Sequence, residues 1–450
     1  MSTVKVSVSN DYKPSSEEDL IQSSGNRDKR KKDDDRYWDD NARRNWTALL
    51  FVGAILVYCV RTSMSVCVPA IAKEMGWSKQ ISGMALSAFF FGYLSSNVLG
   101  GYFADRHGGE KMILYSSTIW ATLTIILPYF STAQTFLNSG TFAILATRFF
   151  TGCSQGFYFP SLSSLVSKHV RPSDKGFVTG VVFSGCSLGT IATGFFGSII
   201  MEHSSWRVVF VCIGVLSLLW IYWFRAYYYL SKDSQLNTTV DLDSKVNTRE
   251  PFPWRVLLRK SSIWAYLIAF FSYGYTFYVL LSWTPAYFHD AFPESKGWIF
   301  NVLPWLSSFA MQNVAGYYSN SLMSAGASVT YVRKLYSALL YLGTCMFSLL
   351  LSTVESFQQA LLIMSLTVAV NAFSTSSISL NAQDLSPKHA GALFGLGNSL
   401  SALGGSIGVY LTGFILEHSG HWSSIFLINA AVSFVAFLAF QLFGSAEVIA

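Results

Sequence analysis

The chain has 450 residues, of which 51% are hydrophobic, 16% aromatic and only 12% charged. Soluble proteins carry about 25% charged residues, and a soluble fold has too little interior to hide so much apolar surface. The composition therefore excludes an ordinary soluble protein and predicts a polytopic membrane protein. The net charge of +6 does not indicate a nucleic-acid partner, because the placement of the basic residues has another explanation, given below.

The cysteines predict neither a disulfide framework nor a metal site. All six lie in apolar runs without the paired spacing of zinc ligands: Cys59, Cys67, Cys153, Cys186, Cys212 and Cys345. Buried free thiols are the simplest interpretation. No metal and no cofactor is expected.

Residues 1–45 are polar and rich in charge, and a segment of that kind cannot bury enough apolar surface to fold alone. We expect a disordered tail there. Twelve apolar segments follow, each near the roughly 20 residues that span a bilayer. They cover residues 46–70, 79–103, 111–131, 141–167, 175–201, 206–230, 262–288, 298–320, 332–352, 357–382, 390–416 and 422–444.

The long polar connection at 231–261 divides the spans into two sets of six. The domains expected are therefore an N-terminal bundle (46–230), a central loop (231–261), a C-terminal bundle (262–444) and a short tail (445–450). With both termini on one side of the membrane, that side holds 25 of the 31 basic residues. Since basic residues collect in cytoplasmic loops, the termini and the central loop are expected in the cytoplasm.

An internal repeat relates the two sets of spans. A shift of 215 residues pairs Gly101-Tyr102 with Gly316-Tyr317, and it also pairs the segment Glu202–Ser204 with Glu417–Ser419. One offset that runs through six segments indicates a duplication in parallel orientation. Such a duplication predicts an all-α fold of two six-helix halves related by pseudo-two-fold symmetry, with a substrate site at the midplane between them.

The loop after the second span predicts a conformational gate. Its residues Gly101, Asp105, Arg106 and Gly108 resemble the signature of the major facilitator superfamily. The glycines permit close helix approach, and Asp105 with nearby basic residues can form a charge cluster that holds one access state. The alternative is a solvated turn that follows the positive-inside bias.

Arg61 in the first span and Arg148 in the fourth are the only basic residues placed well inside the spans. Burying each costs about 2.5–3.5 kcal/mol on insertion scales, and few acidic residues lie at matching depth. Two unpaired guanidinium groups at one cavity would bind phosphate or carboxylate. The alternative is a structural strut that pairs with backbone carbonyls.

Polar and aromatic residues at helical spacing extend this candidate anion site. They are Tyr58, Gln155 and Tyr158 in the first half, and Tyr273, Tyr278 and Asn371 in the second. For any single aromatic among them, ordinary packing or an interfacial belt is the competing interpretation.

Four segments, Tyr58–Met64, Phe89–Tyr93, Gly108–Lys111 and Gln155–Pro160, resemble the anion transporters of solute carrier family 17. The resemblance covers about residues 46–444. Within the family, the segments Lys296–Trp305, Val332–Leu335 and Gln383–Leu385 are most similar to the nucleotide-carrying branch. Gln155 stands where glutamate and sialate carriers have a glutamate associated with proton coupling, so direct proton coupling at that position is doubtful.

The resemblance implies a secondary transporter, not an enzyme, that moves ATP, ADP and other nucleotides by alternating access. A vesicular proton pump would supply the membrane potential, chloride would be an activator, and the carrier would be a monomer of secretory vesicles or lysosomes, with the plasma membrane as an alternative. Phosphate, glutamate or sialate are the alternative substrates, and a non-transporting sensor or channel on the same frame is the alternative function.

Overall fold

The computed structural model describes residues 37–132, 139–171, 174–236, 254–295, 297–387 and 390–449. Within these ranges the chain is helical apart from turns and short connections, and no strand occurs in them. Most of the predicted tail (1–36) and much of the central loop (237–253) lie outside the described residues.

Each predicted span coincides with one long helical segment. In the first half these are α1 (Asp40–Met75), α2 (Lys79–His107), α3 (Gly109–Ile126, continued by a 3-10 turn at Leu127–Thr132), α4 (Ser139–Gln155 and Tyr158–His169), α5 (Lys175–Ala192, a π-helical turn at Thr193–Gly197, and Ser198–His203) and α6 (Trp206–Leu236). All-helical secondary structure in this half agrees with the sequence-based prediction.

The second half repeats this sequence of helices. It contains α7 (Ser261–Ala291), α8 (Gly297–Ser324), α9 (Val329–Leu351), α10 (Phe357–Val370, a 3-10 turn at Asn371–Ser374, a π-helical turn at Thr375–Ser379, and Leu380–Leu385), α11 (Ala390–Ser419) and α12 (Trp422–Phe443). A four-residue helix at Trp254–Leu257 precedes α7.

Nine of the helical segments in the described ranges are long and apolar enough to cross a membrane by length and composition. The remaining three are α2, α4 and α8. The two pieces of α4 are 17 and 12 residues long, separated at Gly156-Phe157. A helix that faces other helices or a polar site does not need an apolar surface all round, so lower hydropathy at these three positions is consistent with interior placement.

The first helix begins earlier than predicted, at Asp40 instead of residue 46. The Asp39 side chain caps it by accepting a hydrogen bond from the Ala42 N–H at 2.7 Å. Before the cap, the Trp38 ring stacks between Trp46 (5.4 Å) and His169 (5.3 Å). Capping and ring stacking order residues that composition alone assigned to the tail.

Helix packing repeats with an offset of six helices. In the first half α1 packs on α5, α2 on α4, and α3 on α6; in the second, α7 packs on α11, α8 on α10, and α9 on α12. Contacts between the halves follow the same symmetry, since α2 packs on α11 and α8 packs on α5. The pseudo-two-fold arrangement predicted from the 215-residue repeat is therefore confirmed.

The halves are joined at the end opposite the chain termini. Lys79 at the start of α2 forms an ion pair with Asp290 at the end of α7. The Glu417 carboxylate on α11 accepts a hydrogen bond from the Lys79 backbone N–H at 2.8 Å, and Asn301 on α8 donates to Ser198 on α5 at 3.0 Å. These contacts close that end of the bundle.

Toward the end that carries the termini, the halves separate. A methyl group built at Gly180, Gly391 or Gly395 would have no atom within 4 Å, and Tyr102 on α2 and Tyr317 on α8 are 60% and 72% exposed. The structure therefore represents a state that is closed at one end and open at the terminal end.

The Lys79–Asp290 ion pair is expected to bias this equilibrium. Asp290→Asn should raise the population of the alternative state, open at this end, relative to the present one by up to about fivefold, since a partly exposed pair contributes about 0.2–1 kcal/mol. The rate at which a membrane-impermeant maleimide labels a cysteine placed at Ser82, a buried position on α2 one turn after Lys79, measures this change. The doubly exchanged variant Lys79→Asp/Asp290→Lys should restore slow labelling, and equal rates in Asp290→Asn and the parent would contradict the expectation.

Candidate functional site

Arg61 of α1 lies inside the helix bundle with its side chain 3% exposed. Its guanidinium carbon lies 4.8 Å from the ring centre of Tyr58, 5.1 Å from that of Phe89 and 4.9 Å from that of Tyr93. The Nε and Nη2 atoms are buried and have no hydrogen-bond acceptor in the structure. The cation is thus held by aromatic rings while part of its donor set remains unused.

Arg148 of α4 is buried to the same degree, at 2% exposed. Its Nη1 donates to the Val60 carbonyl oxygen on α1 over a long 3.4 Å, and its guanidinium carbon lies 4.9 Å from the Phe89 ring centre. The Nε atom has no acceptor among the residues that the structure describes. The single carbonyl contact matches the strut alternative only in part, because one buried donor remains unpaired.

The two guanidinium groups share the Phe89 ring and are therefore no more than about 10 Å apart. Two positive charges at that distance repel each other by about 1.7 kcal/mol at an effective dielectric constant of about 20. Neither arginine belongs to any ion pair found within the described part of the chain. An anion bound between them would remove the repulsion and satisfy the unpaired donors.

Cation–π contacts offset part of the cost of burying these charges. Each contact contributes roughly 0.5–2 kcal/mol, depending on how far it is desolvated, whereas insertion of one arginine costs about 2.5–3.5 kcal/mol. The rings therefore allow both arginines to remain in the apolar bundle without a carboxylate partner. A resident carboxylate would instead compete with an incoming anion.

Gln155 and Tyr158 of α4 are fixed against the backbone of α1. The Gln155 Nε2 donates to the Val57 carbonyl oxygen at 3.1 Å, and the Tyr158 hydroxyl donates to the Leu50 carbonyl oxygen at 2.9 Å. The Gln155 Oε1 is a buried acceptor with no donor partner in the described part of the chain. The Tyr158 hydrogen bond therefore holds α4 against α1. Gln155 retains its Oε1 as an unused acceptor on the same helix as Arg148.

The second half brings two of the predicted tyrosines to the arginine cluster. Tyr278 of α7 packs on Phe90 of α2 with ring centres 4.5 Å apart, and it lies within electrostatic range of Arg61. Tyr273 of α7 stacks on Phe277 at 5.3 Å and lies near Ser374 of α10. Both are neighbours of Tyr58, so aromatic groups from both halves surround Arg61.

Asn371 occupies the first position of the 3-10 turn that interrupts α10. Its Nδ2 donates to the Thr367 carbonyl oxygen at 2.7 Å, which leaves Oδ1 buried and without a partner. No hydrogen bond joins Asn371 to either arginine among the described residues, so its place in the anion site stays a prediction.

Sequence reasoning missed Phe89 and Tyr93 as parts of this site. Phe89 contacts both arginines and Tyr93 contacts Arg61. Their i, i+4 spacing places both rings on one face of α2, which was the available signal. Aromatic residues on a membrane helix are so common that this spacing alone does not distinguish a ligand-site ring from a packing ring.

The predicted gate lies where α2 ends and α3 begins. Gly108 has φ = +92°, a backbone conformation that favours glycine, and this allows the sharp change of direction between the helices. A side chain at Gly101 would contact Pro160 on α4 at 3.8 Å. Arg106 is exposed and donates to the Tyr102 hydroxyl at 3.4 Å. The Asp105 side chain lies outside the described part of the chain, so the predicted charge cluster stays a prediction.

Comparison with known proteins identifies a matching family. The model of the Major Facilitator Superfamily matches residues 50–409. The chain is 39% identical over 417 residues to the voltage-gated purine nucleotide uniporter SLC17A9 of Rattus norvegicus, which covers 92% of each protein. It is 30% identical to a probable chloroplastic anion transporter 1 of Oryza sativa subsp. japonica, over 89% of this chain and 76% of that protein.

A solved structure shares the fold at low sequence identity. The inward-open xylose transporter XylE of E. coli superposes with a TM-score of 0.68 at 13% identity, over 89% of this chain and 96% of that one. The sequence match and the structural match both span nearly the whole helix bundle.

Proposed function

The chain belongs to the major facilitator superfamily and, within it, to the solute carrier 17 transporters, and from that premise we propose that it transports nucleotides, ATP and ADP among them. The main support for the proposal is the pair of buried arginines around Phe89, which have unpaired donors and no carboxylate partner among the described residues. One guanidinium group can donate two parallel hydrogen bonds to a phosphate. A polyphosphate chain therefore suits this cluster.

The aromatic groups beside the arginines suit the rest of a nucleotide. Tyr58, Tyr273 and Tyr278 offer planar faces and hydroxyl groups from both halves of the bundle. A small inorganic anion would engage the arginines without using the planar faces of Tyr273 and Tyr278. A ligand with an anionic part and a planar part uses both.

Transport would proceed by alternating access. Nucleotide enters from the open terminal end, binds Arg61 and Arg148, and leaves after the Lys79–Asp290 and Glu417 contacts at the opposite end have separated. The signature residues Gly101, Asp105, Arg106 and Gly108 would gate the terminal end. No covalent step is involved, and ATP is the cargo.

Membrane potential is the proposed driving force. One elementary charge moved through 100 mV is worth about 2.3 kcal/mol, so a nucleotide of charge −3 to −4 gains about 7–9 kcal/mol at that potential. Gln155 stands at the position of the proton-coupling glutamate of sibling carriers, and an amide cannot take up and release a proton. Chloride as an activator is part of this proposal through family resemblance alone.

The proposed setting is a vesicular membrane with both termini in the cytoplasm. A proton pump of secretory vesicles or lysosomes would hold the lumen positive and so draw the anion inward. This setting is proposed from the family resemblance alone, and the carrier would act as a monomer. Cytoplasmic termini follow from the concentration of basic residues on that side.

Purified protein in proteoliposomes tests the proposal. An inside-positive potential, imposed with a potassium gradient and valinomycin, should drive accumulation of labelled ATP at least tenfold above that in protein-free liposomes. Collapsing the gradient should abolish accumulation, because the charge of the nucleotide then gains no energy.

A panel of anions separates the alternatives within the same assay. Accumulation of phosphate, glutamate or sialate without any ATP uptake would replace nucleotide as the cargo. Exchange of labelled for unlabelled ATP across the membrane identifies a carrier, whereas unsaturable current without exchange would identify a channel.

A further inference from the structure

Small residues bring the backbones of α7 and α11 together. A Cβ at Gly404 of α11 would lie 2.2 Å from the Phe271 carbonyl oxygen, and a Cβ at Gly274 of α7 would lie 1.9 Å from the Ser401 carbonyl oxygen. Such glycines permit close approach of two membrane helices. The obstacle in both cases is backbone, so these two glycines have a packing role.

Gly405 of α11 differs, because its neighbour is a side chain of the candidate site. A Cβ at Gly405 would lie 2.2 Å from Cδ2, 2.8 Å from Cγ and 3.0 Å from Cβ of Tyr278. The Cβ and Cγ atoms do not move when the ring turns about its own axis, so turning the ring does not make room for a methyl group. The absence of a side chain at Gly405 therefore sets where the Tyr278 ring lies.

Phe90 of α2 limits the Tyr278 ring from the other half of the bundle, with ring centres 4.5 Å apart. The start of α2 meets the end of α11, so these helices run in opposite directions. A Cβ at Gly83 would lie 3.0 Å from the Gly413 Cα. Phe90 lies about two turns after Gly83, and Gly405 lies about two turns before Gly413. Phe90 and Gly405 therefore lie at the same level, and Tyr278 contacts both.

Tyr278 brings a group from the second half to the arginine cluster. It lies within electrostatic range of Arg61, and its neighbour Phe90 packs edge-on against Phe89 at 5.3 Å. The Arg61 Nε and Nη2 are buried and have no acceptor among the described residues. An anion that accepts hydrogen bonds from these atoms would lie near the Tyr278 hydroxyl, which can donate one more.

We propose that Gly405 is a positioning residue of the nucleotide site. By leaving room for the Tyr278 ring, it keeps the ring against Phe90 and the hydroxyl group beside Arg61. The inference rests on the proposed function, since it takes the anion at Arg61 to be a nucleotide phosphate. Gly405 itself touches no ligand, and a methyl group added there would act through Tyr278.

A double-mutant cycle in proteoliposomes tests this role. The KM and kcat of potential-driven ATP uptake are measured for the parent, Gly405→Ala, Tyr278→Ala and the double variant. Tyr278→Ala removes the ring, so the added methyl group at Gly405 then has room. Gly395→Ala is the matched control, because it lies on the same helix and a Cβ there would have no atom within 4 Å.

We expect Gly405→Ala and Tyr278→Ala each to raise the KM for ATP about tenfold, the scale of one lost hydrogen bond to a charged group. The kcat should stay close to that of the parent, as it does when binding alone is weakened. The double variant should have the KM of Tyr278→Ala, since both changes act on one ring, and Gly395→Ala should match the parent. A parent-like KM in folded Gly405→Ala, or effects that multiply in the double variant, would overturn the proposal.

Folding of the same variants is measured by size-exclusion chromatography and needs no substrate. If Gly405→Ala does not fold, Tyr278→Ala should restore folded protein in the double variant, and a double variant that still misfolds would contradict the proposal. Uptake by the parent tests the proposed function separately. If the parent accumulates another anion of the panel and no ATP, nucleotide transport is excluded, and the same cycle measured with that anion tests Gly405.

Discussion

Replacing Arg61 by alanine is expected to lower potential-driven ATP uptake at least a hundredfold while the helix bundle stays folded. The Arg61 guanidinium has two buried nitrogen atoms without acceptors among the described residues, and hydrogen bonds to charged groups contribute about 1.5–3 kcal/mol each. Two such bonds to a phosphate would account for a hundredfold or greater effect. Uptake into proteoliposomes measures the loss, and size-exclusion chromatography measures folding.

Two further variants show whether the loss comes from the anion site. Arg61→Lys keeps the charge but loses the planar fork, so we expect partial activity with a raised KM. Arg259→Ala removes an exposed arginine that lies far along the chain from the cluster, and it should transport as the parent does. Full uptake by folded Arg61→Ala would remove Arg61 from the substrate site.

Arg148→Ala is expected to abolish uptake as well, for a slightly different reason. This substitution removes an unpaired Nε and also the contact with the Val60 carbonyl that links α4 to α1. If Arg148→Ala yields less folded protein than Arg61→Ala, the difference measures the structural contribution of Arg148. The two variants together test both interpretations of these arginines, an anion site and a structural strut.

The second large effect is expected at the contact between α2 and α4. A Cβ atom at Gly152 would lie 1.9 Å from the Phe89 carbonyl oxygen, a distance that no packing adjustment of a side chain can relieve because the obstacle is backbone. Gly152→Ala should therefore push α4 away from α2 and destabilise the protein by about 3 kcal/mol or more, at the upper end of overpacking effects. Thermal unfolding followed by size-exclusion fluorescence measures this change.

Gly180→Ala is the matched control for Gly152→Ala. A Cβ at Gly180 on α5 would have no atom within 4 Å, and alanine favours the helix by up to about 1 kcal/mol. The control should unfold at the same temperature as the parent or slightly higher. If Gly152→Ala also unfolds at the parent temperature, the close approach of α2 and α4 is not required for stability.

The two predictions concern one structural unit. Gly152 lies against the backbone of Phe89, and the Phe89 ring lies against both arginines. The position of the Phe89 ring, which contacts both guanidinium groups, therefore depends on the absence of a side chain at Gly152. Nucleotide uptake by the residual folded Gly152→Ala protein should be impaired for this reason.

Sequence reasoning identified Arg61 and Arg148 because charged residues are rare inside apolar spans and costly to bury. It also placed Tyr158 in the substrate site, which stays a prediction; the structure adds that the Tyr158 hydroxyl donates to the Leu50 carbonyl. Helical spacing places Tyr158 on the border of the same stripe as Arg148, but spacing along one helix does not reveal what a neighbouring helix offers. Phe89 and Tyr93 were missed for the same reason.

The sequence by itself determined the membrane class, the twelve helices, the twofold repeat and the two buried arginines. These features depend on hydropathy, on internal similarity and on the cost of burying charge. Each of these can be read from a single segment or from the comparison of two repeated segments. Only the tertiary structure decided that both arginines share one aromatic ring, that no described carboxylate pairs with them, and which end of the bundle is closed. Those features depend on contacts between helices far apart in sequence, where packing fixes the distances.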